Sequence, residues 1–140
     1  MNRIELRQLA EDRILDAAAL LAGQRWSGAF YLAGYAVECG LKACILARVD
    51  WASVIFEEPK NFQEKCWSHK LDELVRHAGL EAELKQACTE NAALGNYWNL
   101  TKGWAETSRY QQKTQAGAEL FYTAITHTDD GILTWIRTHW

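Results

Sequence analysis

The stretch that decides the fold reads Gly28-Ala-Phe-Tyr-Leu-Ala-Gly-Tyr-Ala-Val-Glu-Cys-Gly-Leu-Lys-Ala43. At the ~100° per residue of an α-helix, the side chains here sort into a stripe of small residues, a bulky apolar stripe and a polar stripe. The small stripe is Ala29, Ala33, Ala36, Gly40, Ala43 and Ala47; the bulky stripe is Phe30, Val37, Leu41 and Cys44; the polar stripe is Tyr31, Tyr35, Glu38 and Lys42. The pattern predicts a central helix over about Ser27–Arg48, with neighbours on most sides. Its small stripe lets another backbone come close, either within the bundle or across a dimer interface.

Helical periodicity extends to both sides of this central helix, and no segment shows sustained strand alternation. The other predicted helices are about Asn2–Ala22, closed by Gly23 in a left-handed conformation; a short helix capped by Ser68 and ended by Gly79; about Glu81–Leu94; and about Gln115–Arg137. Val49–Trp67, with Pro59, reads as a long connection, and residues 95–114 read as a structured turn or loop. We therefore expect an all-α, up-and-down bundle of four main helices plus a short extra helix, forming a single domain over residues 1–140.

Composition narrows the function classes. The net charge of −3, from 15 Lys and Arg against 18 Asp and Glu, argues against extensive nucleic-acid binding, although one or two arginines could still build a local phosphate site. The four cysteines form no CxxC pair, so we expect reduced thiols in a cytoplasmic protein. The acidic residues of Met1–Gly23 argue against a signal peptide, and no uninterrupted run of 18 apolar residues predicts a membrane span.

Glu38 and Lys42 lie one helical turn apart, in the orientation that favours an ion pair. With Tyr31 and Tyr35 they could line a pocket in which the aromatic rings stack a base and the charges orient it. Alternatively, the pair satisfies itself at a boundary between helices. Helical spacing alone often produces such pairs, so the second interpretation is favoured.

A second polar group lies in the predicted loop before the last helix. It contains Trp104, Glu106, Arg109 and Tyr110. The planar guanidinium of Arg109 matches a phosphate or a carboxylate ligand. The alternative is a loop held by aromatic packing, with Arg109 paired to Glu106 or Glu38.

His69 stands near a predicted helix start, where helix-end amides favour a neutral imidazole or a bound anion. As a general base it would need a partner that the sequence does not identify, so packing at the helix start is the favoured interpretation. Cys66 and His69 have ligand-like spacing, but no second pair follows at zinc-site separation. We therefore expect no metal, no cofactor and no catalytic residue, since the phosphate-binding loop, nucleophile elbow and HExxH motifs are also missing.

The stretch from Gly28 to Ala43 resembles HEPN-domain proteins (higher eukaryotes and prokaryotes nucleotide-binding), whose second helix commonly reads as a variant of YLAGYAVECxLKA. Three further features agree: a first helix that ends in a small residue, the start His69-Lys-Leu-Asp-Glu-Leu74, and Arg109-Tyr110 before the last helix. The similarity spans about Leu6 to Trp140.

The resemblance implies a helical bundle, frequently dimeric, similar to the helical domain of kanamycin nucleotidyltransferase. Small members often pair with a minimal nucleotidyltransferase, as its substrate-binding partner or as half of a toxin–antitoxin system. Other members are ribonucleases with an Arg followed after four to six residues by His. This chain departs from that pattern, because no histidine follows Arg109 at that distance and His77 directly follows Arg76.

We therefore expect a homodimeric, non-catalytic nucleotide-binding or accessory subunit. The alternative is a ribonuclease with a rearranged site that uses His69 and Arg109. The expected ligand is a nucleotide or a small phosphate compound.

Overall fold

The central position of one long helix organises the fold. A computed structural model describes residues 1–51 and 62–140, and within these ranges the chain is helical with no strand. The helices are α1 (Arg3–Ala22), α2 (Trp26–Trp51), α3 (Phe62–Cys66), α4 (Leu71–His77), α5 (Glu81–Glu90), α6 (Ala92–Thr101), α7 (Gln115–Thr126) and α8 (Ile132–Arg137), with a 3-10 turn at Glu106–Tyr110. The predicted all-α helical bundle is confirmed.

The small stripe of α2 lies inside this chain's own core. Ala33, Ala36 and Ala43 have no exposed surface, and a Cβ added at Gly40 would lie 3.0 Å from the side chain of Ile136 and 3.4 Å from that of Leu133 in α8. α2 also packs against α1, α4, α7 and the 3-10 turn. The stripe therefore serves packing within the bundle, which is one of the two roles that the sequence left open.

The first helix begins as expected but ends differently. Asn2 and Glu5 form a reciprocal capping box: each side chain accepts a hydrogen bond from the backbone amide of the other residue, both at 2.9 Å. The left-handed residue predicted at Gly23 is in fact Gln24, with φ of 58°, whereas Gly23 has φ of −84°. The tight turn into α2 thus carries its left-handed backbone one residue later than predicted.

The predicted fourth helix is two helices. Asn91 adopts an extended backbone between α5 and α6, and its side chain caps α6 by accepting from the amide of Leu94 at 3.2 Å. The same side chain donates to Asp130 at 2.7 Å. α6 then runs to Thr101, through residues that were predicted as loop, because Leu94 and Thr101 are buried there.

The predicted final helix is also interrupted. Nδ1 of His127 accepts from the backbone amides of Asp129 and Asp130, at 3.3 and 3.1 Å, and this turn separates α7 from α8. An added Cβ at Gly131 would lie 2.6 Å from the carbonyl oxygen of Ile125, so the turn requires glycine at this position. The side chain of Trp135 in α8 is half-buried.

The connection predicted over Val49–Trp67 is partly helical. α2 continues to Trp51 and α3 occupies Phe62–Cys66, whereas residues 52–61, with Pro59, lie outside the described part. Ser68 does not cap a helix start directly, because α4 begins at Leu71. Its hydroxyl accepts from the amide of Lys70 and donates to the carboxylate of Glu73 at 2.7 Å. Hydrogen bonds from Ser68 and Lys70 lower the pKa of Glu73.

The segment Trp26–Val49 within α2 is long and apolar enough to cross a membrane by length and composition alone. In the fold, 67% of its most apolar window is buried against the rest of the chain. Core helices share this property, so the segment is weak evidence for a membrane span.

Candidate functional site

The candidate site is built around Glu38, which the polar stripe of α2 places inside the protein. Its side chain is only 2% exposed, and a buried carboxylate is costly unless it is paired. Oε1 of Glu38 lies 2.7 Å from Nζ of Lys42 and 2.9 Å from Nδ1 of His69. The predicted Glu38–Lys42 pair is confirmed, and His69 is a second partner that local spacing could not reveal.

His69 bridges two carboxylates. Its Nε2 lies 3.1 Å from Oε2 of Glu106, on the 3-10 turn, while its Nδ1 faces Glu38. A neutral imidazole can donate through only one nitrogen, whereas an imidazolium donates through both. The two contacts together place a carboxylate oxygen within hydrogen-bond distance of each ring nitrogen. His69, in the segment before α4, thereby ties that segment to α2 and to the 3-10 turn.

We define the carboxylate–histidine cluster as Glu38, Lys42, His69 and Glu106. Carboxylate oxygens of Glu38 and Glu106 lie at the two ring nitrogens of His69. A substrate could reach either nitrogen only by displacing a carboxylate. An anion that approached His69 would also meet Glu106, whose side chain is 43% exposed.

The cluster is not arranged for a metal ion. Glu38 and Glu106 bind opposite nitrogens of one imidazole ring, so the two carboxylates do not converge with that ring on a single point. Across residues 1–51 and 62–140, no group of three or more His, Cys, Asp or Glu side chains could hold a metal ion.

Three aromatic rings form a wall beside the cluster. Tyr31 stacks on Tyr35 with 6.4 Å between ring centroids, and Trp104 lies 5.7 Å from Tyr31. Trp104 is 3% exposed and packs on the backbone of α2 at Gly34, where a Cβ would collide with the indole. The indole nitrogen is buried without a hydrogen-bond partner. Trp104, predicted as a ligand-binding residue, is therefore a packing residue in this structure.

Burial raises the pKa values of three further groups on α2. Burial raises the pKa of Tyr35, and the neighbouring Cys39 and Glu38 raise it further. Burial and the charge of Glu38 raise the pKa of Cys39 to about 12, and burial raises that of Cys44 to about 12. Cys39, Cys44 and Cys88 are free thiols, and the two on α2 are poor nucleophiles because the thiolate is the reactive form.

Arg109 and Tyr110 lie at the surface of the same 3-10 turn as Glu106. Cζ of Arg109 lies 5.1 Å from the centroid of the Tyr110 ring, and Tyr110 is 79% exposed. Within the described residues, Arg109 forms no ion pair with Glu106 or Glu38, so that predicted pairing is wrong. The turn instead points the carboxylate of Glu106 at His69 and leaves the guanidinium to stack on Tyr110.

The structure brings together Glu38, Lys42, His69 and Glu106, with Tyr31 and Tyr35 on the same face of α2. Among the described contacts, His69 and Arg109 do not touch. Trp67 was not among the predicted site residues, although it is 76% exposed and lies two residues before His69. The only available signal was its place in the run Trp67-Ser68-His69.

The site thus combines a cluster built on the buried Glu38 with the exposed Arg109 and Tyr110, which follow Glu106 on the same turn. Comparison of the chain with protein-family models, with curated proteins and with solved structures finds no match.

Proposed function

We propose that this chain is a non-catalytic nucleotide-binding or accessory subunit that works as a homodimer with a minimal nucleotidyltransferase, in some settings as half of a toxin–antitoxin pair. The observation that carries the proposal is the exposed stack of Arg109 on Tyr110 beside the carboxylate–histidine cluster. The stack offers a nucleotide both of the groups that it needs, a guanidinium for the phosphate and an aromatic face for the base.

The cluster supports this role by fixing the turn that carries the stack. Glu106 is the first residue of the 3-10 turn, and its contact with His69 holds the turn against α2 and the segment before α4. Ser108 closes the turn, accepting from the amide of Ala105 at 3.4 Å. Arg109 and Tyr110 are thus presented from an anchored element, which limits the entropy lost on binding.

A second exposed aromatic side chain lies on the segment that contacts the turn through His69. Trp67 lies two residues before His69, and the His69–Glu106 contact joins its segment to the turn of Tyr110. Two exposed aromatic side chains on connected segments suit ligands with a flat base.

The charge arrangement disfavours the alternative, a ribonuclease with a rearranged site. Such an enzyme would need His69 to exchange a proton with RNA, but carboxylates face both nitrogens of its ring. An RNA phosphate at His69 would also be repelled by Glu106. The partner half of the proposal is supported by the resemblance to HEPN proteins, whose small members pair with nucleotidyltransferases.

The binding half is tested by calorimetric titration of the chain with ATP, GTP, CTP, UTP and their monophosphates. We expect saturable binding of at least one nucleotide, weakened about tenfold or more by Arg109→Ala, since a charge-assisted contact to phosphate is lost. Tyr110→Ala should also weaken binding of that nucleotide. Lys102→Ala, which removes an exposed cation at the end of α6, should leave its affinity unchanged. Absence of binding by every nucleotide, or equal binding by Arg109→Ala, would refute the proposal.

The partner half is tested by purifying the tagged chain from its native cytosol after nuclease treatment. Recovery of a nucleotidyltransferase in stoichiometric amount, and its rebinding to the purified chain, is the expected outcome. Recovery of RNA or of translation components alone would contradict it.

A further inference from the structure

A second candidate site lies between α4, α5 and α6, on residues that take no part in the carboxylate–histidine cluster. These helices form an open groove of about 540 Å³, within the ~300–1,000 Å³ typical of small-molecule sites. On α5 the groove residues follow helical spacing, from Glu81 through Leu84 and Lys85 to Cys88 and Thr89, so α5 turns one face towards the groove. α6 contributes residues between Ala92 and Asn99, including the half-buried Trp98.

The floor of the groove is apolar. Val75 and Leu84 are each 4% exposed, and the half-buried Cys88 lies beside them. Gly95 keeps α6 close to α5 at this point, because an added Cβ would lie 3.2 Å from the carbonyl oxygen of Cys88. A ligand in the groove would thus rest its apolar part on a well-packed surface.

The rim carries charges of both signs. At the end near the α4–α5 turn, Nε of Arg76 pairs with Oε2 of Glu81 at 3.1 Å. Asp72 precedes Arg76 by four residues on α4, and Lys85 follows Glu81 by four residues on α5. Both side chains also line the groove. Within the part of the chain that the structure describes, neither side chain forms a hydrogen bond or an ion pair. The groove therefore presents one unpaired carboxylate and one unpaired ammonium above its apolar floor.

We propose that this groove binds a small zwitterion with an apolar body, of the α-amino acid class. The ligand's ammonium group faces Asp72, its carboxylate faces Lys85, and its side chain lies on Val75 and Leu84. The exposed amides of Asn96 and Asn99 supply further hydrogen bonds at the α6 edge. A ligand with both charges is favoured because one with a single charge leaves either Asp72 or Lys85 unpaired.

The first test is an NMR titration of the full chain, following backbone amide shifts. The ligands are L-leucine and L-phenylalanine. Two derivatives serve as controls: N-acetyl-L-phenylalanine lacks the ammonium charge, and L-phenylalaninamide lacks the carboxylate. We expect saturable shifts of α4, α5 and α6 amides with an apolar amino acid, and about tenfold weaker binding of the derivative that lacks either charge. No saturable shift at millimolar concentrations, or equal binding of the derivatives, would overturn the proposal.

Variants assign the two charges separately. Lys85→Gln removes the proposed partner of the ligand carboxylate, so this variant should bind phenylalanine and phenylalaninamide equally well. Asp72→Asn removes the proposed partner of the ligand ammonium, so this variant should bind phenylalanine and N-acetyl-phenylalanine equally well. Lys102→Gln and Asp129→Asn, both exposed and outside the groove, should retain both preferences. The amide spectrum of each variant reports its folding directly.

Ala92→Trp provides an independent variant, because it fills the groove from an exposed position on α6. It should abolish binding of the amino acid, and unchanged binding would contradict this location. The site is separable from the nucleotide proposal. Arg109→Ala should leave the amino acid affinity unchanged, and Lys85→Gln should leave any nucleotide affinity unchanged.

Discussion

The indole of Trp104 lies directly on the backbone of Gly34 in α2, in the space that a Cβ would occupy. Trp104 also borders Tyr31, so this contact positions the aromatic wall beside the buried Glu38. The glycine is therefore required by close approach at the interior of a helix, a position where glycine otherwise costs stability.

Gly34→Ala should destabilise the fold by about 1–3 kcal/mol, because the new methyl group forces Trp104 to move in a packed interior. The free energy of unfolding from urea titration measures the effect. Gly103→Ala is the matched control, since a Cβ there meets no atom within 4 Å. Equal effects of the two substitutions would contradict the assignment.

Glu38→Ala should lower the free energy of unfolding by about 3 kcal/mol, because it leaves Lys42 and His69 without their shared carboxylate. This loss of stability is at the low end of the range usual for broken buried ion pairs, because Lys42 and His69 are partly exposed and can bind water instead. Glu83→Ala is the control: Glu83 is 63% exposed and lies 3.6 Å from His139. Its effect should stay within about 0.5 kcal/mol.

A double-mutant cycle on His69→Ala and Glu106→Ala should give a coupling energy of about 0.5–1 kcal/mol, because both side chains are substantially exposed. The parallel cycle on Glu106→Ala and Arg109→Ala should give a coupling near zero, since the guanidinium stacks on Tyr110 instead. Denaturant unfolding of the single and double variants supplies both values. A larger coupling in the Glu106–Arg109 cycle would show that the two side chains pair in solution.

Alkaline pH should weaken the fold through the cysteines of α2. The folded protein holds the pKa values of Cys39 and Cys44 at about 12, against a reference of 9.0, so the unfolded chain releases these protons first. Stability is then complete below about pH 9 and falls as the pH rises towards about 12, by at most about 1.4 kcal/mol per pH unit for each thiol. Urea unfolding across this range measures the slope. Cys44→Ala should have a shallower slope than the wild type, whereas an unchanged slope would contradict the assignment.

The fold could be predicted where the information is local. The three stripes of α2 follow from helical geometry and side-chain size. The residues of the small stripe are buried in the structure, as this pattern predicts. The interruption at Asn91 could not be predicted in the same way. The residues around it are compatible with a helix, and the hydrogen bond to Asp130, 39 positions away, helps to hold the break.

The site shows the same division. The Glu38–Lys42 pair is set by one turn of helix and was predictable, whereas Glu38 and His69 are 31 positions apart and meet only when the segment before α4 docks on α2. The orientation of Arg109 depends on a 3-10 turn of five residues. Sequence periodicity does not resolve which side chains of such a short turn face inwards.

The bond between Asn91 and Asp130 joins the two places where predicted helices are interrupted. Because this bond spans 39 positions, opening of the junction between α5 and α6 should also release a contact of the turn between α7 and α8.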